Sequence, residues 1–288
     1  MWIARTTKEA CRARAALERR VALVATMGAL HAGHLSLIER ARAVADHCVV
    51  SIFVNPTQFG PNEDFKQYPR PIEQDLEMCR QANVDGVFCP CEHDLYPPAQ
   101  VPSCVTVPAL AGVLEGEYRP SHFAGVCRVV LKLLNIVRPQ ISCFGQKDYQ
   151  QLKIVEAVCA DLSVPVQIVP CPTVRDLDGL ALSSRNQTLA APQRAQALGL
   201  VAALRRVQAL VEQEDRADPA GLERAMSQTM AEHDMQIDYA VLRHPQTLAL
   251  LPQIDAQGVG AVALVAGRVA SVRLVDSMLI GRAAGTNP

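Results

Sequence analysis

The sequence predicts an α/β fold in which a doubly wound parallel sheet is followed by a smaller C-terminal α+β domain. Apolar runs of four to seven residues alternate with helical segments of ten or more over residues 21–169. Strands separated by helices of this size are typical of parallel sheets. After Asn186 the chain becomes rich in Arg, Gln and Ala and then contains three strand-like runs. We therefore predict two domains, residues 1–186 and residues 187–288.

The individual elements follow the apolar periodicity of each segment. Strands are predicted in the first domain at residues 21–25, 48–54, 86–89, 141–144 and 166–169. Helices are predicted there at residues 35–45, 73–82, 124–137 and 149–162, after an N-terminal surface helix with Arg5, Lys8, Arg12 and Arg14. The second domain is predicted to have helices at 192–213 and 220–233, and strands at 237–242, 259–265 and 270–275. Ligands of such sheets bind in loops at the carboxyl ends of strands.

Composition restricts the class of protein. The chain has 288 residues, of which 49% are hydrophobic and 20% charged, and its formal net charge is −1. This balance gives no argument for binding a nucleic acid or a membrane surface, so we expect small-molecule partners. The apolar run at residues 258–267 is too short to cross a membrane, and no secretory hydrophobic region follows the N-terminus. We expect a cytoplasmic protein.

Two patterns favour structural roles over metal or cofactor binding. The close pair Cys89 and Cys91, among ten cysteines, lacks companion ligands at zinc-like spacing, so we expect reduced and mostly buried thiols. Residues 258–263, GVGAVA, match a loose dinucleotide fingerprint. They lie within an apolar run rather than between a strand and a helix, which disfavours a cofactor role.

The most informative motif follows the first predicted strand. Residues 26–34, TMGALHAGH, place His31 and His34 on either side of a glycine just before the predicted helix. Unpaired N–H groups and the positive end of the helix dipole make such a helix start an anion site. A single histidine is often only structural, but two at this spacing and junction favour a site for nucleotide phosphates.

Amide side chains follow the second long strand. Residues 55–59, NPTQF, contain Asn55 and Gln58, whose amides offer both donors and acceptors. Such groups suit a hydroxyl or carbonyl oxygen better than a phosphate. The same segment could instead be only a turn with a capping Asn, and the residues alone leave both alternatives open.

Two later loops contain cations. In residues 144–151, FGQKDYQQ, Asp148 can be a helix N-cap, whereas Lys147 is disfavoured at that end of a helix unless an anion lies nearby. Ser183, Ser184 and Arg185 combine two hydroxyls with a guanidinium and are predicted to form a phosphate-binding loop. The Ser-Ser-Arg string is weak by itself and becomes strong only together with the upstream histidine motif.

Six segments together resemble the pantothenate synthetase (pantoate–β-alanine ligase) family. They are, in the family's order, residues 26–34 (TMGALHAGH), 51–59 (SIFVNPTQF), 114–116 (LEG), 119–125 (RPSHFAG), 144–151 (FGQKDYQQ) and 178–186 (DGLALSSRN). The resemblance implies a nucleotidylyltransferase-like fold of the HxGH type, a C-terminal lid domain and a homodimer. It also implies a ligase that uses ATP and Mg²⁺ to convert pantoate to pantoyl adenylate. β-Alanine then displaces AMP to give pantothenate.

The resemblance further implies a role for each matching residue. ATP would be contacted by Met27, Gly28, Ala29, Leu30, His31, Ala32, Gly33, His34, Gly145, Gln146, Lys147, Asp148, Val174, Leu182, Ser183, Ser184 and Arg185. The catalytic members would be His31, His34, Lys147 and Arg185. The substrates pantoate and β-alanine would be bound by Asn55, Gln58, Arg119 and Gln151. No direct Mg²⁺ ligand is implied, and Asp75 and Asp178 are weak candidates.

One residue departs from the family's pattern, and two alternatives stay open. Ala25 stands where the motif usually has proline, which fixes φ and removes a donor, so the turn could be looser. Another adenylyl- or cytidylyltransferase of the same fold would share the histidine and Ser-Ser-Arg motifs but not the two glutamines. A non-catalytic nucleotide sensor is the second alternative, and the presence of His34 and Lys147 argues against it.

Overall fold

The computed structural model describes residues 1–61, 63–213, 216–255 and 260–281. The chain divides into two units. The first contains Met1–Gly145 and Gln151–Pro172, and the second contains Gln146–Gln150 and the described part of Thr173–Pro288. The predicted boundary between a catalytic domain, residues 1–186, and a C-terminal domain, residues 187–288, stays a prediction.

A six-stranded parallel sheet forms the centre of the first unit. Its strands are β1 (Trp2–Ala4), β2 (Val21–Thr26), β3 (His47–Ile52), β4 (Gly86–Phe88), β5 (Ile141–Gly145) and β6 (Gln167–Cys171). They lie in the order β1-β4-β3-β2-β5-β6, and all neighbours pair in parallel. The winding direction reverses between β2 and β5. Loops at the carboxyl ends of strands beside such a point are the usual ligand sites of α/β sheets.

Helices cover both faces of this sheet. They are α1 (Thr7–Ala15), α2 (Ala32–Val44), α3 (Ile72–Gln81), α4 (Glu92–Leu95), α5 (Pro108–Ala111), α6 (Glu115–Tyr118), α7 (His122–Val137) and α8 (Tyr149–Asp161). Val21 and Leu23 of β2 belong to a core that includes residues of α7 and α8. The alternate residues Ala22 and Val24 belong to a second core, with residues of α2 and α3. One strand thus faces two helical layers, and the predicted doubly wound fold is confirmed.

The edge strand β1 and the one-turn helices α4, α5 and α6 are absent from the sequence prediction. In β1, Trp2 pairs with Gly86 of β4. A Cβ on Gly86 would overlap the indole ring of Trp2, so the close approach of ring and backbone requires glycine there. This ring belongs to the only tryptophan of the chain.

The second unit combines two helices with an antiparallel sheet. Its elements are α9 (Ala191–Gln213), β7 (Arg216–Ala217), α10 (Pro219–Glu232), β8 (Gln236–Arg243), β9 (Ile254–Asp255), β10 (Ala261–Val269) and β11 (Val272–Ile280). The strands β8, β10 and β11 form the sheet, in the order β11-β10-β8. Leu204 of α9, Met226 of α10 and Val265 of β10 are buried in one core of this unit. The predicted C-terminal α+β domain is confirmed.

The last two strands begin later and are longer than predicted. Ala270, predicted to start a strand, lies in the tight turn between β10 and β11 with a φ of 52°. Of the GVGAVA segment, Gly258 and Val259 lie outside the described residues. Ala261 and Ala263 lie in β10, which pairs with a strand on each side and is followed by another strand. A dinucleotide fingerprint would need a helix after the strand instead.

Three general properties concern the described part of the chain. No helix there combines the length and the apolar character needed to cross a bilayer. Nor does any group of three or more His, Cys, Asp or Glu side chains there come close enough together to hold a metal ion. All ten cysteines are free, and six of them are buried.

Candidate functional site

The loop that follows β2 turns sharply before it enters α2. Gly28 and Ala29 both have left-handed backbone conformations, with φ of 81° and 52°. A Cβ on Gly28 would lie 2.9 Å from Oδ2 of Asp75, so this position requires glycine for both φ and space. Ala25, in place of the family's proline, lies within β2 and pairs with Ser51, so the strand forms without proline.

A buried carboxylate holds this loop. Asp75 of α3 is 1% exposed. Its Oδ2 accepts the N–H of Ala29 at 2.9 Å, and its Oδ1 accepts the N–H of Leu30 at 2.8 Å. Burial raises the pKa of Asp75, although these two hydrogen bonds oppose the shift. Because both oxygens accept main-chain hydrogen bonds, Asp75 supports the loop that contains the histidines.

The two histidines of the motif cap the N-terminus of α2. Nδ1 of His31 accepts the N–H of Gly33 at 3.2 Å, and Nδ1 of His34 accepts the N–H of His31 at 3.3 Å. The ring centroids lie 4.1 Å apart. A ring nitrogen that accepts an N–H carries no proton, so the proton of each neutral ring is on Nε2. The motif therefore contains two imidazoles of fixed tautomer.

The start of α2 differs from the prediction. The helix begins at Ala32, three residues before the predicted start, because His31 is its N-cap, a role more often taken by Ser, Thr, Asp or Asn. The expectation of unpaired N–H groups at this end is wrong for those of His31 and Gly33, which the imidazoles bind. Two main-chain donors at this helix start are thus bound by histidine side chains.

The amide of Asn55 is engaged entirely within the protein. Asn55 is 1% exposed and precedes a short 3₁₀ helix. Its Nδ2 donates to Oε1 of Gln58 at 2.9 Å and to the carbonyl of Gly125 at 3.1 Å. Its Oδ1 accepts from the N–H and the hydroxyl of Thr57 and from the hydroxyl of Tyr96. Asn55 therefore orients its neighbours, and we do not assign it a substrate contact.

The side chain of Gln58 is buried, with 7% of the residue exposed. Its Nε2 lies 3.1 Å from Sδ of Met27, in the loop after β2. The other predicted glutamine, Gln151, is half-buried near the start of α8. Gly145, predicted at the ribose, is the last residue of β5.

Two residues of the RPSHFAG segment hold the backbone of Gln58. Nδ1 of His122 donates to the carbonyl of Gln58 at 2.9 Å, and Nη2 of Arg119 donates to the same oxygen at 3.4 Å. The guanidinium of Arg119 also forms a two-point ion pair with Glu63, at 2.9 and 2.6 Å. Arg119, predicted to bind substrate, thus has its guanidinium in contact with protein groups.

The electrostatics of this cluster follow from burial and from the Arg119 charge. Burial, with the adjacent guanidinium of Arg119, lowers the pKa of His122 to about 4. For Glu63, burial raises the pKa, but the hydrogen bond and the charge of Arg119 outweigh it and hold the pKa below the usual value. The cluster therefore contains a neutral imidazole beside an ionised Arg–Glu pair at neutral pH.

The loop that follows β5 belongs to the second unit. Ser277 of β11 donates its hydroxyl to the carbonyl of Gln146 at 2.7 Å, and the hydroxyl of Tyr149 donates to the carbonyl of Pro245 at 3.0 Å. Nζ of Lys147 lies 3.4 Å from Oδ1 of Asp148, and 20% of the Lys147 side chain is exposed. The adjacent carboxylate partly offsets the unfavourable position of a cation at a helix start.

A hairpin precedes the Ser-Ser-Arg segment. Arg175 forms a two-point ion pair with Asp276, at 2.6 and 3.1 Å, and the Asp276 side chain is fully buried. Arg194 pairs with Asp178 at 2.8 Å. The hydrogen bond from Arg194 holds the pKa of Asp178 below its usual value. Asp178 is thus paired with a cation of the protein.

The Ser-Ser-Arg segment forms the start of a short 3₁₀ helix, Ser184–Thr188. The hydroxyl of Ser183 caps it by accepting the N–H of Arg185 at 3.3 Å. Leu182 donates its N–H to the carbonyl of Val174 at 3.0 Å. The five predicted ATP contacts in this part of the chain are half-buried, so their side chains are accessible in part: Val174, Leu182, Ser183, Ser184 and Arg185.

The structure thus distributes the predicted site residues over both units. The first unit contains Met27, Gly28, Ala29, Leu30, His31, Ala32, Gly33, His34, Asn55, Gln58, Arg119, Gly145 and Gln151. The second contains Gln146, Lys147, Asp148, Val174, Leu182, Ser183, Ser184 and Arg185. The supporting residues Tyr96, Asp276 and Ser277 are absent from the prediction, because each acts on a partner distant in sequence. His122 was also not assigned to the site, although the sequence marks it, because it lies in the RPSHFAG segment that resembles the family.

Comparison with known proteins gives a consistent family. A family model described as pantoate-beta-alanine ligase matches residues 3–279. The bifunctional pantoate ligase/cytidylate kinase of Gloeobacter violaceus is 49% identical over 261 residues, which are 90% of this chain and 50% of that protein. The chain thus spans half the length of that relative. The pantothenate synthetase of Rhizobium rhizogenes is 46% identical over 282 residues, and the match covers 96% of both proteins.

Solved structures show the same relationship. The pantothenate synthetase of Thermus thermophilus has a TM-score of 0.91 and 41% identity, over 98% of this chain and 100% of that one. The pantoate-beta-alanine ligase of Francisella tularensis has a TM-score of 0.75 and 33% identity, over 97% of both chains. The crystals of that protein contain beta-gamma ATP and beta-alanine.

Proposed function

The chain belongs to the pantoate–β-alanine ligase family, and from that premise we propose that it joins pantoate to β-alanine with ATP. The carboxylate of pantoate attacks the α-phosphorus of ATP and displaces pyrophosphate, which gives pantoyl adenylate. The amine of β-alanine then attacks the acyl carbon and displaces AMP. The observation that carries the proposal is the pair of imidazoles that cap α2, because they provide two preoriented donors in the loop after β2.

We assign the phosphates of ATP to two histidines, a lysine and an arginine. His31 and His34 donate from Nε2 to phosphate oxygens, and Met27 to Gly33 form the adjoining part of the ATP site. Lys147 and Arg185 supply positive charge to the β- and γ-phosphates. The remaining ATP contacts are assigned to Gly145, Gln146, Asp148, Val174, Leu182, Ser183 and Ser184.

Pantoate is assigned to Gln58 and Gln151, whose amides match its hydroxyl and carboxylate oxygens. Asn55 and Arg119 act one step away, since their polar groups contact the side chain or the carbonyl of Gln58. We therefore propose them as positioning residues rather than substrate ligands.

Catalysis in this scheme consists of placement and electrostatic stabilisation. Negative charge grows on the oxygen that leaves with pyrophosphate, and fixed donors stabilise it without reorganisation. A carboxylate held in line with the α-phosphorus gains an effective concentration on the order of 10⁵ M or more. No side chain acts as a covalent nucleophile. Exclusion of water protects the acyl adenylate until the amine arrives.

Mg²⁺, the homodimer and the cytoplasmic location belong to the proposal as well. The two carboxylates considered for Mg²⁺ do not fit, because Asp75 accepts main-chain N–H groups and Asp178 pairs with Arg194. We propose that the ion is held by the phosphates of ATP and by water, and we assign it no step. The partners proposed are small molecules and a second copy of the chain.

Pyrophosphate release from ATP tests the function directly. We expect release only when pantoate is present, and pantothenate only after β-alanine is added. Release without pantoate would favour another nucleotidylyltransferase, and ATP binding without any release would favour a sensor. Lys147→Ala should lower turnover by about 100-fold or more, since one preorganised charge is lost. Gln58→Ala should raise the KM for pantoate far more than that for ATP.

A further inference from the structure

Main-chain groups fix the orientation of the Asn55 amide. The N–H of Thr57, 3.3 Å from Oδ1, can only donate, and the carbonyl of Gly125, 3.1 Å from Nδ2, can only accept. Reversing the amide would place donor against donor and acceptor against acceptor at 1% exposure. These neighbours therefore decide which end of the amide is the oxygen, and the hydroxyls of Thr57 and Tyr96, which also donate to Oδ1, hold that oxygen in place.

This orientation is passed on to Gln58. The second hydrogen of Asn55 Nδ2 points to Oε1 of Gln58 at 2.9 Å, so the oxygen of the Gln58 amide must be on that side. Nε2 is then on the other side, where Sδ of Met27 is its neighbour at 3.1 Å. A thioether sulfur is a weak acceptor, and a substrate oxygen would compete with it well. Gln58 thus offers a donor, not an acceptor, to a ligand.

Tyr96 lies at the start of this chain of hydrogen bonds. Its hydroxyl donates to Oδ1 of Asn55 at 2.9 Å. Burial raises the pKa of Tyr96, although a hydrogen bond with Thr57 and the charge of Arg128 oppose the shift, so the hydroxyl remains a donor at neutral pH. The guanidinium carbon of Arg128 lies 4.3 Å from the centre of the Tyr96 ring. This cation–π contact helps to keep the phenol in place.

The packing around Gly125 shows how closely the chain of hydrogen bonds is assembled. A Cβ on Gly125 would overlap the carbonyl group of Thr57. The helix α7 and the 3₁₀ turn therefore meet backbone to backbone at this point. The carbonyl of Gly125 reaches the Asn55 amide only because this position has no side chain.

We propose that Tyr96 is a positioning residue for substrate recognition: through Asn55, its hydroxyl holds Gln58 with Nε2 directed to an acceptor oxygen of pantoate. This inference rests on the proposed function, in which Gln58 binds pantoate. It adds that the Gln58 amide binds pantoate through Nε2, and that Tyr96 supports this contact without touching the substrate.

Tyr96→Phe tests the proposal, because it keeps the ring and removes only the hydroxyl. We expect the KM for pantoate to rise about three- to tenfold, the effect of one lost hydrogen bond, with kcat and the KM for ATP changed less than about twofold. Tyr239→Phe removes a phenol hydroxyl from the second unit and serves as the matched control, with unchanged constants. An unchanged KM for pantoate in the Tyr96 variant, or an equal rise for ATP, would overturn the proposal.

Side-chain amide resonances test the same relay without turnover. In ¹⁵N spectra, Tyr96→Phe should shift the amide signals of Asn55 and Gln58, whereas Tyr239→Phe should leave both unchanged. Unshifted signals in the Tyr96 variant would overturn the relay. If the wild type released no pyrophosphate with pantoate, the proposed function would fail, and the spectra would still decide whether Tyr96 orients Gln58.

Discussion

His122 donates its Nδ1–H to the main-chain carbonyl of Gln58, 2.9 Å away. Its other ring nitrogen faces Nη1 of Arg119 at 3.2 Å and accepts from it. A second proton on the ring would break the contact with Arg119 and place two positive charges together. The contact with Arg119 thus requires the neutral ring, whereas the hydrogen bond to Gln58 favours the protonated ring and opposes the lowered pKa of His122.

The neutral state of His122 predicts a loss of stability in mild acid. Its pKa is about 4 in the folded protein, against 6.5 for an unperturbed histidine. Between these values only the unfolded chain takes up the proton, so the free energy of unfolding falls as the pH drops from 6.5 to about 4. The full effect is about 3 kcal/mol, and it vanishes above that window.

Urea denaturation of His122→Asn measures this contribution. The Asn amide can donate near the position of Nδ1 but does not titrate. The variant should therefore lose less stability than the wild type between neutral pH and pH 4. Parallel curves for the two proteins would contradict the assignment of this pH dependence to His122.

Asp75→Asn should weaken the loop that carries the histidines. The substitution places an NH₂ group against the N–H of Ala29 or Leu30, and an unsatisfied buried donor costs about 1–3 kcal/mol. We expect a loss of that size in the free energy of unfolding, and a lower kcat/KM for ATP. Glu73→Gln, an exposed carboxylate of the same helix, is the control. Equal kinetics for the two variants would refute the supporting role of Asp75.

Two substitutions of His34 separate capping from phosphate binding. His34→Asn keeps an acceptor near Nδ1, and so the bond to the His31 N–H, but removes Nε2. We expect near-normal thermal stability and a kcat reduced by about 100-fold, the effect of one lost preorganised donor. His34→Gln places an amide near Nε2 and should retain more activity with a weaker helix start. The reverse ranking in kcat would exclude Nε2 as the group that contacts phosphate.

Ser277→Ala should affect the lysine loop from within the second unit. The hydroxyl of Ser277 holds the carbonyl of Gln146, next to Lys147. Its removal should lower kcat/KM for ATP about three- to tenfold, as expected for one hydrogen bond. Ser227→Ala is matched to it, because Ser227 also donates to a main-chain carbonyl, that of Glu223. The same loss in both variants would show a general effect on stability.

The sequence predicts the strands of the first unit where apolar runs are long enough to be seen. β2 and β3 lie within about a residue of their predicted limits at most ends. β1 cannot be predicted from the sequence, because a strand of three residues is too short to show a periodic pattern. The predicted strand ends at residue 265 because Gly267 and Arg268 interrupt the apolar run, whereas β10 continues to Val269. There the pairing with β8 shifts register at Ala266 and Gly267, and tertiary contacts continue the strand.

The candidate site could be predicted only in its local parts. His31, His34 and Gln58 lie next to strand ends, so pattern and resemblance both find them. Asp75 binds a loop 46 residues earlier in the chain, and Ser277 binds one 131 residues earlier. No local pattern marks such partners, because folding brings them together. The capping role of His31 was missed for another reason, since imidazole is an uncommon N-cap.

The packing of the single tryptophan against Gly86 decides what intrinsic fluorescence can measure in this protein. The indole belongs to the edge of the parallel sheet, and the second unit has no tryptophan of its own. Its emission therefore follows the unfolding of the first unit, whereas far-ultraviolet circular dichroism follows both units. Denaturation curves recorded with the two signals will coincide only if the units unfold together.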